Sequence, residues 1–202
     1  MVAALTRSSA IDLTAAALPG PASRGLPSRR RERAWVRGAQ AGSHEAMEAL
    51  FRAHWGRAHR AAFLIVHDAA AAEDIAQEAF LAAIRALHRF DRRRPFGPWL
   101  HRIVVNRAID WSRARSLRRE VAESPESEAP PDTPGGWSEE VVAALGALDP
   151  DHRAAVVLRH LLEYTPGEIA ALLEIPRGTV NSRLRRALDR LAEELGTAEG
   201  RP

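Results

Sequence analysis

Between Thr165 and Leu195 the chain spells two short amphipathic helices broken by a proline, and that pattern narrows the fold more than any other stretch. TPGE at 165–168 reads as a capping box with proline in the first turn: Thr165 caps the helix and Glu168 reaches back to it. Ile169, Leu172 and Leu173 give this helix one apolar face, and Pro176 marks the turn that follows. Beyond it Val180, Leu184, Leu188, Leu191 and Leu195 recur at helical steps and make a single stripe that can pack on that face. Off the stripe lie Arg177, Asn181, Ser182, Arg185 and Arg186. A helix seated in the major groove reads base edges with such residues, arginine on guanine and asparagine on adenine. Arg177, Thr179, Arg183 and Arg190 are placed for phosphates or for the flank of the helix. The competing reading is an ordinary helix pair with a solvated arginine face. The capping box, the short turn and the arginines together favour a helix-turn-helix that binds duplex DNA.

The remainder of the 202 residues is helical in pattern as well, with no strand signal and no internal repeat. The expected fold class is therefore all-α, in two small helical domains. Residues 1–30 lack periodicity and read as a disordered extension. Residues 31–115 form the first domain. Ser43 is a candidate cap for a helix whose Met47, Leu50, Phe51, Ala58, Ala62 and Ile65 follow helical spacing. Asp68 is a candidate cap for the next, with Ile75, Ala79, Ala83 and Leu87 on one face and Ala76, Phe80 and Ile84 beside them. DRRRPFGP at 91–98 interrupts the pattern, and a further helix follows from Trp99. Residues 116–137 read as a flexible linker, since 120–140 carries seven acids, four prolines and no base. The second domain runs over 138–196, with Ser138, Asp149 and Thr165 as caps, and a tail closes the chain at 197–202.

Charge is spread unevenly. The net value is only +3, yet Arg85–Arg119 holds eleven arginines against two acids, Asp91 and Asp110. Just before it Glu73, Asp74, Gln77 and Glu78 fall on one polar helix face. One surface thus suits nucleic acid and its neighbour suits a basic partner, although an acidic helix face is often merely solvated. Phe90, Phe96, Trp99 and Trp111 lie among the arginines, where rings can stack unpaired bases or simply fill a core. There is no cysteine, which removes disulfides and thiolate metal sites, and the eight histidines show no ligand spacing. No apolar run approaches a membrane span, and AIDLTAAALPGPA is too short and too acidic at Asp12 for a signal peptide. A cytoplasmic protein without metal or cofactor is the expectation.

EIAALLEIPRGTVNSRLRRALDRL closely resembles the promoter −35 recognition region of bacterial sigma factors of the extracytoplasmic-function group, within the sigma-70 family. HDAAAAEDIAQEAFLAAIRALHRF and PFGPWLHRIVVNRAID resemble the family's core-binding and −10 regions, in the same order and spacing, from about residue 33 to 195. The resemblance implies a factor that binds core RNA polymerase and directs promoter-specific initiation. It would read −35 DNA as duplex through Arg177, Thr179, Asn181, Ser182, Arg183, Arg185, Arg186 and Arg190. It would recognise and open the −10 element through Phe90, Arg92, Arg93, Arg94, Phe96, Asn106, Arg107 and Arg113, with a flipped base held by Phe90, the 91–97 loop and Asn106. Glu73, Asp74, Gln77 and Glu78 would dock on the polymerase clamp helices, and the acidic linker would thread the polymerase cleft. The partners implied are core RNA polymerase, promoter DNA and an anti-sigma protein, with the chain a monomer in the holoenzyme. Pro166, Gly167 and the N-terminal extension depart from the family pattern.

Other classes fit less well. A stand-alone helix-turn-helix regulator would need a sensor domain, and the first domain has no ligand pocket or phosphoacceptor pattern. A nuclease or recombinase would need a nucleophile or a carboxylate cluster; neither Ser43 nor Ser112 has a base positioned to activate it, and the acids of the first domain lack a metal-ligand pattern. The chain is read as a non-enzyme.

Overall fold

The computed structural model describes residues 27–122 and 138–198, and every regular element among them is helical. Four helices build the first unit: α1 (Arg29–Gln40), α2 (His44–Val66), α3 (Ala69–Ala86) and α4 (Phe96–Ala122). Four more build the second: α5 (Glu139–Gly146), α6 (Pro150–Val156), α7 (Pro166–Leu173) and α8 (Arg177–Ala198). Each expected cap is in place. Ser43 Oγ accepts the Ala46 N–H, Asp68 the Ala71 N–H, Ser138 the Val141 N–H and Asp149 the Asp151 N–H. At Thr165 both arms of the capping box close, with Thr165 N–H donating to Glu168 at 2.8 Å and Glu168 N–H to Thr165 at 3.3 Å.

Some boundaries differ from the sequence reading. α1 starts at Arg29, inside the stretch read as disordered, because Ser28 caps it and Val36 and Ala39 are buried. α4 continues to Ala122, into the stretch read as linker, and its long basic turn Arg113–Arg118 contains no helix breaker. α6 is prolonged by one wide turn at Val157–Leu161, whose Val157, Leu158 and Leu161 are all buried. Most of the linker, 123–137, residues 1–26 and the tail beyond 198 lie outside the described residues.

The helices of the first unit pack around Leu50, Phe63, Ile65, Phe80, Leu100 and Val104. The second unit packs α8 on α5, α6 and α7 through Leu145, Leu158, Ile169, Val180 and Leu191. These two cores are continuous, since α6 lies against α2 and α4 and α7 against α4. Arg153 of α6 is the centre of the seam. It is buried, and its guanidinium donates to the carbonyls of Ile65 at 2.5 Å, Gly146 at 2.8 Å and Leu148 at 2.7 Å. Burial, set against a weaker pull from Asp149, lowers its pKa to about 10, so it stays charged at neutral pH. Around it Arg57, Arg102 and Arg113 of the first unit pair with Glu163, Glu174 and Asp151 of the second.

Candidate nucleic-acid interface

α8 is held by its buried face, where Val180, Leu184, Ala187 and Leu191 are all enclosed. The turn before it is set by Glu174, which closes α7 in the left-handed conformation at φ 56°. Arg177, Asn181, Arg185 and Arg186 are consequently exposed in the first turns of α8, and they enter no ion pair among the described residues. The rest of the expected set is drawn elsewhere. Thr179 is half-buried, and Ser182 Oγ turns back to donate to the Thr179 carbonyl at 2.9 Å. Arg183 lies on the flank, 3.1 Å from Asp151 of α6. Arg190 is tied to Glu193 and Glu194 of its own helix. Among the described residues, the exposed groups of this set without an ion pair are thus Arg177, Asn181, Arg185 and Arg186.

The second cluster lies at the start of α4. Asp91 opens the loop by accepting the backbone N–H of Arg93 at 2.9 Å, and its carboxylate also pairs with the Arg93 guanidinium. Those contacts hold the exposed Asp91 carboxyl below its usual range. Arg92 and Arg94 stay exposed, and Asn106 is exposed on α4. Phe90 and Phe96 correct the sequence reading. They are only 8% and 3% exposed, and their rings pack on each other and on Trp99, with centroids 4.5–6.0 Å apart. They therefore brace the loop from beneath, and the surface ring beside it is the half-buried Trp99. Trp111 is covered by the Arg115 guanidinium at 5.0 Å. Arg107 and Arg113 are less free than expected, because Arg107 pairs with Glu78 of α3 and Arg113 with Asp151 of α6 at 2.6 Å.

The loop is positioned by a residue that sequence reasoning missed. Glu32 of α1 turns inward, buried, and accepts the Phe96 N–H at 3.2 Å, so a carboxylate sits at the positive end of α4. His54 of α2 lies 3.0 Å away on its other oxygen. Burial would raise the Glu32 pKa, but the His54 side chain and the N–H groups of Phe96 and Gly97 outweigh it and keep the carboxyl low. Gly97 has a steric role, since a Cβ there would stand 3.2 Å from the His54 ring. The only sequence signal was a lone acid within an arginine run.

On α3, Glu73, Asp74, Gln77 and Glu78 are all exposed, with Gln77 donating to Glu73 at 3.0 Å. Their face continues into Leu81 and Ile84, which are 51% and 42% exposed, and Phe51 of α2 beside them is 41% exposed. Phe51 and Ile84 follow the apolar spacing of their helices. They rim an apolar groove with Met47, Leu50, Phe80 and Leu87. The surface is thus acidic at one end and apolar at the other, the composition of a protein-docking face. Among the described residues no group of three histidine or acidic side chains could hold a metal, and no helix is long and apolar enough to cross a membrane.

The chain matches two family models in tandem: Sigma-70 region 2 over residues 50–118 and Sigma-70, region 4 over residues 138–191. It is 36% identical over 163 residues to the RNA polymerase sigma factor CarQ of Myxococcus xanthus, covering 78% of this chain and 94% of that one. The chain belongs to the extracytoplasmic-function group of the sigma-70 family. The ECF RNA polymerase sigma factor SigM of Mycobacterium tuberculosis is also 36% identical, over 77% of this chain and 80% of its own. Among solved structures, that of CnrH in complex with the cytosolic domain of CnrY superposes with a TM-score of 0.64 at 29% identity, covering 83% of this chain and 98% of that one. As a sigma factor, the chain binds core RNA polymerase and directs promoter-specific initiation, reading the −35 element as duplex and recognising and opening the −10 element. The stand-alone regulator reading is not favoured, because a regulator of that kind has no region 2.

Proposed function

We propose that the residue roles within this sigma factor divide as follows. The α8 face reads the −35 duplex, with Arg177, Asn181, Arg185 and Arg186 at base edges and Thr179, Arg183 and Arg190 on its flanks. The 91–97 loop and Asn106 receive the unpaired −10 strand, with Arg92, Arg93 and Arg94 on its phosphates. Arg107 and Arg113 join them if they exchange Glu78 and Asp151 for phosphate. The α3 face, acidic at Asp74 and apolar at Leu81 and Ile84, docks on core RNA polymerase. The chain carries out no chemistry itself. It works in the cytoplasm as one copy per holoenzyme, and an anti-sigma protein restrains it; a structural relative, CnrH, was solved bound to a second protein, the cytosolic domain of CnrY.

The observation that carries this division is the exposure of Arg177, Asn181, Arg185 and Arg186 on α8 without an ion pair among the described residues, while Ser182, Arg183 and Arg190 are occupied within the chain. Arg186→Ala in the reconstituted holoenzyme tests it. A bidentate guanine contact is worth about 1–3 kcal/mol of discrimination. The variant should therefore lose about five- to 160-fold in promoter affinity and become indifferent to one −35 base pair. A loss spread evenly over all −35 sequences would move Arg186 to the phosphates.

A further inference from the structure

α1 precedes the stretch matched by the region 2 model, which begins at residue 50. It carries Arg29, Arg30, Arg31, Arg33 and Arg37, all exposed, and its one acid, Glu32, is buried beneath it. The helix therefore cannot neutralise its own outer face. Arg29, Arg33 and Arg37 stand at steps of four along one line, with Arg30 beside them. That line is about 12 Å long, a length over which a DNA duplex presents about seven phosphate charges.

α1 is also fixed to the −10 loop. Gln40 donates to the carbonyls of Leu87 and Phe90 at 2.9 and 3.0 Å, and Arg33 donates to the Arg93 carbonyl at 3.3 Å. With Glu32 holding Phe96, these bonds make the arginine line and the exposed Arg92 and Arg94 one rigid basic surface. The acids near it are engaged: Asp91 with Arg93, and Glu168, which feels the charge of Arg29, in its capping box. The exposed face has no large apolar side chain, and Trp35 is half-buried under Arg31 at 5.0 Å. A protein interface would want an apolar anchor there. A phosphate backbone would not.

We infer that α1 is a second DNA-binding element, a sequence-independent clamp on the phosphates beside the −10 element. This rests on the reading of the 91–97 loop as the −10 contact.

The test uses full-length chain in holoenzyme and a promoter fragment selected by the wild-type holoenzyme from a randomised duplex library. Arg29→Gln, Arg30→Gln and Arg37→Gln are combined, leaving Arg33 on Arg93; glutamine keeps the helix propensity of arginine. Each phosphate contact contributes about 0.9 to the dependence of log affinity on log salt. The triple variant should lower that slope by about two to three, leave the −10 base preference unchanged, and be rescued by lysine at the same positions. An unchanged slope overturns the inference. An unchanged slope with weaker capture of core polymerase also overturns it and assigns the face to protein. Arg92→Gln with Arg94→Gln separates the two readings. If that pair leaves −10 selection and opening intact while the α1 variant lowers the slope, the loop reading fails and α1 stands as a DNA contact.

Discussion

His101 is enclosed on α4, 4% exposed, with Nδ1 2.7 Å from the Tyr164 hydroxyl that approaches from the second unit. Burial first, then the charges of His54 and Arg57, lower its pKa to about 3. His67, at the end of α2, is lowered to about 3 by burial and by Arg153. In the unfolded chain both titrate near 6.5. Between those values the unfolded state binds protons that the folded state refuses. Stability is therefore full above about pH 6.5 and falls as pH drops towards 3, by about 1.4 kcal/mol per pH unit for each such histidine. Glu32, whose carboxyl is held low, adds a further loss only at lower pH, in the carboxylate range. His101→Gln keeps a polar partner for Tyr164 and cannot titrate. Urea unfolding at pH 7, 6 and 5 should show a pH slope smaller by about one proton than that of the parent chain. An identical slope would mean that His101 is not neutral in the folded state.

At the scale of elements, legibility depended on how local the physics was. Five caps and the helix-turn-helix were readable because a cap and its partner lie within three residues. Which apolar flank of a helix faces solvent was not readable. Ile84 and Phe80 are equivalent in pattern, yet Phe80 is 4% exposed and Ile84 42%, because no other helix covers that side of α3. Phe90 and Phe96 failed for the converse reason: rings among arginines suit base stacking and core packing alike, and only the position of Trp99 decides. The α3 face also dictates how its role should be tested. Glu78 is occupied by Arg107, so replacing it would disturb α4 as well. Asp74→Arg with Gln77→Arg changes the docking face alone. It should reduce capture of core polymerase by at least tenfold while circular dichroism and unfolding stay within about 0.5 kcal/mol of the parent, as for other surface substitutions. Full capture would reduce the α3 face to a solvated surface.

At the scale of the whole molecule, the contact between the two units was the least legible feature, since Arg153 and Ile65 are 88 residues apart. In sequence Arg153 looks like any surface arginine of a short helix. In the fold it joins α5, α6 and α2 by satisfying three carbonyls from both units. Arg153→Met fits the same volume with no donor, leaving those carbonyls without the guanidinium. Loss of such charge-assisted bonds should cost about 2–4 kcal/mol. The cost should also fall on the coupling between units, and the tryptophans provide the assay. Trp35, Trp55, Trp99 and Trp111 all sit in the first unit, whereas helical ellipticity reports both. Trp137 lies between them in sequence and is replaced by phenylalanine in both chains compared. In that parent, fluorescence and ellipticity should trace one transition, because a shared core unfolds together. In Arg153→Met the ellipticity should begin to fall first, as the smaller second unit loses its anchor. If the parent already shows two transitions, or if Arg153→Met shifts both probes equally by under 1 kcal/mol, the units are independent and the seam contributes little to the fold.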